Sequence, residues 1–530
     1  VEEALLRKED LHQIKEHGLT REQVQKQLQL FKKSQLHLEL LRPCTPGDGI
    51  EKLDHEKRRA LIRLFDRERA KGRCLKFVPA SGAASRMFRT PLLFLHQDGE
   101  ITRESVSGKA EAGDGEAREL LAFMEGIKKF AFYGELRSIM REKGLSIDIL
   151  LDRGQFTEIL RFLLEDDGLG YGNLPKALLS FHAYPGGART AFEEHLVEAA
   201  SYVKDQSGHC HLHMTVSEEH LENFLELFTR VRPEYEEKYG VFFHVTFSLQ
   251  DKSTDTLAVT LDHQPFREKD GRLLFRPGGH GALLANLNHL QGDIVFIKNI
   301  DNVLPDRLKP ETIEWKKTLG GYLVGIQTKI FHYLENLSSG DFTESVLEEA
   351  VNFARDEILL PVPDSFDRAS PPQKATLLAQ MLNRPVRVCG MVRNVGEPGG
   401  GPFLVKNRQG IPSRQIVEKA QVNPHSKSQQ AVWASATHFN PVDLVCGVRD
   451  WQGKPFDLRK YVDPDAVFIS TKSKDGRDLK ALEHPGLWNG SMAHWISIFV
   501  ETPITTFSPI KTVVDLLREE HQETPGGRGA

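Results

Sequence analysis

The chain has 530 residues, 39% of them apolar and 27% charged, which excludes disordered and fibrous classes and leaves room for about three to four domains. Its 69 basic and 74 acidic residues give a net charge of −5, so bulk attraction to nucleic acid or anionic lipid is excluded and any basic surface must be local. No apolar run approaches the roughly eighteen residues of a membrane span. Cys44, Cys74, Cys210, Cys389 and Cys446 are widely spaced, without a CxxC pair, and read as reduced thiols.

The start, VEEALLRKED, has no apolar signal stretch, which predicts a cytoplasmic protein. Residues 1–70 read as a helical extension. Gly18 suits a helix end, Thr20 and Gln23 have capping-box spacing, and Val24, Leu28 and Phe31 recur at helical intervals. That stripe serves either internal packing or a homodimer. Cys74–Val78 reads as a short buried strand entering Pro79-Ala-Ser-Gly-Ala-Ala-Ser-Arg-Met87. A helical insertion is expected over 91–165, interrupted by an exposed, Gly-containing loop at 105–118. Strand-like and helix-like stretches then alternate at 176–183, 192–204, 210–216, 218–230, 241–249 and 293–299, which predicts a mostly parallel sheet flanked by helices. A helical tract follows over 311–358. The core is expected to span 71–395, its mixed C-terminal part 396–522, and a disordered tail 523–530.

Five elements could carry chemistry. The small residues Ala80, Ser81, Gly82, Ala83, Ala84 and Ser85 allow backbone N–H groups to approach a phosphate chain, with Arg86 adding charge; a tight turn beside the core would read the same way. Pro175-Lys176 delivers a lysine at the start of an apolar stretch, where a plain strand-edge charge is the alternative. Gly278, Gly279 and Gly281 flank His280 and leave backbone bare enough for a flat base or sugar. Asp301 and Asn302 close an apolar strand at the end where open α/β sheets place ligands and metals. The fifth element is Phe507-Ser-Pro-Ile-Lys511, followed by Asp515-Leu-Leu. His209-Cys-His-Leu-His213 has metal-ligand composition but stands in an expected interior strand, and Asp463-Pro-Asp465 reads as a turn.

In this order the motifs resemble those of the UDP-sugar pyrophosphorylases, enzymes with a Rossmann-like, glycosyltransferase-A-like fold of the nucleotide-diphospho-sugar transferase type. The glycine-rich turn of that family is similar to residues 80–87, its PK pair to Pro175-Lys176, its MTS strand end to Met214-Thr-Val-Ser217, and its base-reading glutamine to Gln250. Pro277-Gly-Gly-His280-Gly281, Ile300-Asp301-Asn302, Ile416-Val-Glu418 and Phe507…Lys511 resemble its later motifs. The wording PASGAASRMF is closest to a bacterial branch of unknown function related to these enzymes. The resemblance implies transfer of a nucleotidyl group, uridylyl above all, from a nucleoside triphosphate to a sugar-1-phosphate, with Mg²⁺. It implies Arg86, Lys176 and Lys511 on the reacting phosphates and Asp301 on the metal. The 80–85 turn, Gln250, Gly279, His280 and Gly281 would lie against the nucleotide, and Asn302, Glu418, Asn489 and Gly490 against the sugar. Ser81 and Ala84 depart from the family's glycines, Ala282 from its aspartate, and 91–165 stands where the family has a short link. A non-catalytic nucleotide-sugar binder is therefore an alternative; a glycosyltransferase would need an early DxD, which the chain lacks.

Overall fold

In a computed structural model, residues 5–33, 37–340, 342–363, 365–397, 399–407 and 410–522 are described. The tail expected at 523–530 lies outside them. The chain forms two compact units. The first comprises Val1–Phe77, Ser248–Ile297 and Trp315–Ile504; the second comprises Val78–Phe247, Lys298–Glu314 and Thr505–Ala530.

The first unit holds a mixed, mostly parallel sheet. Its strands run in the order Thr45–Pro46, Gly49–Glu51, Ile496–Glu501, Val386–Arg393, Asp443–Gly447, Ile294–Lys298 and Cys74–Pro79. Ile294 stands beside Cys74, and Val386 beside Ile496, in parallel register, whereas Val386 faces Gly447 antiparallel. Near-continuous apolar runs such as Ile294-Val-Phe-Ile297 are what strands buried on both faces require. Phe77, Val295, Ile297, Cys389, Leu444 and Phe499 fill the core around them. All five cysteines are buried and unbridged.

The N-terminal reading is corrected in part. Helices form over Lys8–Glu16 and Arg21–Lys32, the second opened by the Thr20/Gln23 capping box. Beyond them Glu39–Pro43, Thr45–Pro46 and Gly49–Glu51 are strands, because Pro43, Pro46, Gly47 and Gly49 deny a helix its donors and its propensity. The Val24, Leu28 and Phe31 stripe packs on Leu257, Val259, Leu273 and Leu482 of the same unit. This uses the face that a homodimer through these helices would need.

In the second unit, His209–Val216 and Phe242–Leu249 are neighbouring strands joined through the helix Leu221–Tyr239. Ser180–Tyr184 turns back as an antiparallel hairpin with Gly187–Thr190. Residues 91–165 are helical, and the loop expected at 105–118 is not there. Arg103–Glu111 and Gly115–Glu125 are helices separated by a short turn in which Gly113 has φ +99°. Thr102 and Asp114 cap them, and Val106, Ala117 and Leu120 are buried, so caps and a packed face outweigh the glycines. Among the described residues no helix is long and apolar enough to cross a membrane.

Candidate functional site

The small-residue turn follows the strand Cys74–Pro79 and is fastened at both ends. Ala80 donates its N–H to the Thr215 carbonyl at 2.9 Å, and Ala84 to that of Leu174 at 3.0 Å. Lys176 returns an N–H to the Gly82 carbonyl at 3.1 Å, so the turn and the Pro175-Lys176 pair lie side by side. Two N–H groups of the expected phosphate cradle are thus taken internally. Ser81, Gly82, Ala83, Ser85 and Arg86 remain exposed, while Ala84 is buried.

Lys176 points its ammonium at Asp301. Its Nζ lies 2.9 Å from Asp301 Oδ2 and donates to the Ile510 carbonyl at 2.8 Å. Lys511 reaches the same Oδ2 at 3.1 Å. The Ile510 N–H donates to the Asp301 carbonyl at 3.0 Å, which fixes the 507–511 segment beside the carboxylate. Lys176 and Asp301 side chains are 11% and 10% exposed and Lys511 is 46% exposed, so the lysines approach from a buried and an open side. Burial pulls Lys176 below the usual lysine range, helped by the charges of Lys511 and Arg86 and opposed by Asp301. For Asp301 burial acts upward, yet Lys176 and then Lys511 hold the carboxyl below its ordinary value.

One carboxylate thus faces Lys176 and Lys511, and the charge of Arg86 acts on Lys176, an excess of positive charge that a polyanion would neutralise. Asp301 Oδ1 is buried without a hydrogen-bond partner, a polar atom that folding leaves uncompensated. It is the oxygen a hard cation would take. Among the described residues no three His, Cys, Asp or Glu side chains gather as a metal site, so Mg²⁺ here would draw one oxygen from the chain. That donor set fits an ion that keeps its waters and binds substrate phosphates.

Asn302 is buried beside this cluster, its Oδ1 accepting the Ser508 N–H at 3.2 Å. A polar network around Glu194 was not foreseen. Glu194 Oε1 lies 2.9 Å from His182 Nδ1 and 2.7 Å from the Tyr184 hydroxyl, while Oε2 pairs with Lys309. Arg189 and Asp306 meet at 2.7 Å alongside. Its sequence signal was the helix Ala191–Tyr202, which buries Glu193, Glu194, His195 and Glu198, since buried charges demand partners. His213 bonds Thr246 at 2.8 Å.

In the first unit the glycine turn packs on its own chain. A Cβ on Gly279 (φ +73°) would meet Glu483 Oε2 at 2.6 Å, and one on Gly281 the Pro485 carbonyl at 2.2 Å. The small residues therefore serve close approach of residues 483–485. His280 accepts the Leu487 N–H at Nδ1, its ring 4.3 Å from that of Trp488, and burial pulls its pKa down to about 4. Glu418 is pushed up by burial, against hydrogen bonds from Trp488 and Asn489. Asn489 also donates to the Ile416 carbonyl at 2.9 Å and leaves Oδ1 unpartnered. Gly279, His280, Gly281, Glu418, Asn489 and Gly490 thus converge on residues 483–490. Gln250 follows the strand Phe242–Leu249 and is half-buried. Asp465 pairs with Lys33 at 2.8 Å in a turn.

The molecule is an α/β protein whose second unit carries a cationic cluster built on one aspartate. It belongs to the family described as Domain of unknown function (DUF4301), which matches residues 7–522. No curated protein matches the chain. It is similar to a UDP-glucose pyrophosphorylase from Leishmania major in complex with UDP-glucose, at 15% identity over 65% of this chain and a TM-score of 0.34. That match spans 61% of the Leishmania chain, less than two thirds of it. A uridine diphosphate N-acetylglucosamine pyrophosphorylase from Trypanosoma brucei is similar at 10% identity, over 92% of this chain and 71% of that one, with a TM-score of 0.43. A UDP-glucose phosphorylase from Trypanosoma brucei is similar at 12% identity, over 97% and 80%, with a TM-score of 0.43. The family match accords with the branch of unknown function that the wording PASGAASRMF resembles.

Proposed function

We propose that the protein is a nucleotidyltransferase that moves a uridylyl group from UTP to a sugar-1-phosphate and releases pyrophosphate. The observation that carries this reading is the meeting of Lys176, Asp301 and Lys511 at one carboxylate oxygen, three residues that the motif resemblance had already assigned to the reacting phosphates and metal. In the reaction a sugar-phosphate oxygen attacks the α-phosphorus, a P–O bond forms, and the α–β bond breaks with its electrons leaving on pyrophosphate. Such transfer asks the protein mainly for positioning and charge neutralisation. Lys176, buried and fixed by two hydrogen bonds, holds the α-phosphate. Arg86 and the N–H groups of the exposed Ser81, Gly82, Ala83 and Ser85 take the outer phosphates, and Lys511, the more exposed lysine, steadies the incoming sugar phosphate. Asp301 would hold Mg²⁺, which would supply further charge neutralisation when bound. Gln250, Gly279, His280 and Gly281 are assigned to the nucleotide, and Asn302, Glu418, Asn489 and Gly490 to the sugar, on the motif resemblance.

One observation favours a second reading. The N–H groups of Ala80 and Ala84 are spent on Thr215 and Leu174, which suits a nucleotide-sugar binder without turnover. Thermal melting with nucleotides tests the shared part of both readings. UTP with Mg²⁺ should raise the melting temperature, because a ligand of the folded state stabilises it by mass action. No shift at millimolar nucleotide of any base overturns both.

A further inference from the structure

We propose that His521 is a positioning residue for Lys511, acting through Ser508 as the latch of the C-terminal segment. Residues 507–511 form neither helix nor strand, so their backbone groups depend on neighbours for hydrogen bonds. Asn302 accepts the Ser508 N–H, the Asp301 carbonyl accepts the Ile510 N–H, and Lys176 donates to the Ile510 carbonyl. Two of these three partners belong to the proposed phosphate cluster itself. The remaining fixed points are the Lys511 N–H, which donates to Asp515 Oδ2 at 2.8 Å, and the Ser508 side chain.

Ser508 Oγ lies 2.9 Å from His521 Nε2, His521 Nδ1 lies 2.9 Å from His182 Nε2, and His182 Nδ1 lies 2.9 Å from Glu194 Oε1. With Glu194 ionised and both imidazoles neutral, one proton arrangement satisfies every link. His182 donates to Glu194, His521 donates to His182, and the Ser508 hydroxyl donates to His521. Neutral imidazoles are in keeping with the burial that pulls both below the usual histidine range. Ser508, His521, His182 and Glu194 are all buried. The chain therefore has one direction, set by the carboxylate at its far end and passed to Ser508.

His521 is itself fastened from outside. Arg307 donates to the carbonyls of Glu519 at 2.6 Å and of Glu520 and Gln522 at 3.3 Å, closing the short turn Glu519–His521. Arg307 and Asn302 lie in the same loop as Asp301. The loop that carries the proposed metal ligand thus grips the latch and the segment it positions. Removing the latch should loosen residues 508–511, Lys511 included, which then rest on Asn302, Asp301, Lys176 and Asp515 alone, while leaving Lys176 and Asp301 in place.

Hydrogen exchange of the backbone over 508–513 tests the latch without any assumption about activity. The effect on phosphate rests on the proposed function and is read with inorganic pyrophosphate as the probe. Losing one buried hydrogen bond of this kind should speed exchange in His521→Ala and Ser508→Ala about tenfold, and weaken pyrophosphate binding by a similar factor. His521→Gln, which can both accept and donate, should restore much of each. Lys511→Met should cost little more once His521→Ala is present, because both act on one element. Should His521→Ala fail to fold, Ser508→Ala decides, since it removes only the hydroxyl. Unchanged exchange in Ser508→Ala, or a Lys511→Met penalty undiminished by His521→Ala, overturns the latch. Wild-type protein that ignores pyrophosphate while the variants exchange faster overturns the phosphate reading and keeps the latch.

Discussion

Lys176 and Asp301, 125 residues apart in the chain, meet at 2.9 Å in a buried position, and the same carboxylate oxygen receives Lys511. The unequal exposure of the two lysines separates their roles. Lys176→Met leaves Asp301 buried with one cation fewer and the Ile510 carbonyl without its donor. It should cost about 3 kcal/mol of stability, as broken buried pairs do. Turnover should fall by about 10²–10³, chiefly in kcat, because charge builds on the α-phosphate during transfer. Lys511→Met should barely move the melting temperature, since exposed pairs contribute little, and should raise KM for the sugar-1-phosphate more than for the nucleotide. Equal effects of the two variants on both quantities would show that the exposure difference has no functional meaning.

Asp301→Asn separates metal from anion. It removes the negative charge that Lys176 and Lys511 share, so metal-free pyrophosphate should bind more tightly to the variant. Mg²⁺-dependent turnover should be lost with the orphaned Oδ1 charge. Titration calorimetry with and without Mg²⁺ reads both signs. Weaker metal-free binding would mean that pyrophosphate does not approach this cluster.

Glycines in the two units predict opposite outcomes. A Cβ on Gly82 would meet nothing within 4 Å, so Gly82→Ala should melt like the parent, and any loss of UTP affinity would be a direct effect on the turn. Gly281→Ala would drive a Cβ to 2.2 Å from the Pro485 carbonyl and should destabilise by roughly 1–3 kcal/mol or more. A normal melt for Gly281→Ala would show that residues 483–485 can move away from the glycine turn.

Stability should fall on the acid side in a defined window. Burial, helped by the charges of Arg518 and Arg307, pulls His521 to about 3, and burial pulls His213 and His280 to about 4. The unfolded chain takes these protons near pH 6.5, whereas the folded chain refuses them until about pH 4 and below. Stability is therefore insensitive to these groups above pH 7 and is lost as pH falls from 6.5 towards 4, at up to about 1.4 kcal/mol per pH unit for each group. Melting curves at constant ionic strength should show this slope, shallower in His521→Gln. An unaltered slope in that variant would show that His521 is not among the groups refusing protons.

Much of the secondary structure was legible because it is periodic. Cys74–Val78, 210–216, 241–249 and 293–299 announce strands, and the Thr20/Gln23 box announces its helix. What escaped was governed by packing or caps rather than pattern. Gly108, Gly113 and Gly115 suggested a loop at 105–118, but Thr102 and Asp114 satisfy the helix ends and Val106 buries its side chain. Among site residues, Lys176, Asp301 and Lys511 could be assigned together only through motif order, since nothing local says that residues 125 and 210 positions from Asp301 meet there. The Glu194, His182, His521 and Ser508 chain has no motif. Its members come from four separate stretches of sequence, and only tertiary contact reveals that they are one path.

The most direct test of the account is pyrophosphate release by the wild-type protein, incubated with UTP, Mg²⁺ and a panel of sugar-1-phosphates. The account predicts release that depends on one or more of the sugar phosphates, requires Mg²⁺, and collapses in Lys176→Met. Protein that is stabilised by UTP yet releases no pyrophosphate with any sugar-1-phosphate would contradict it and leave the cluster as a binding site without chemistry.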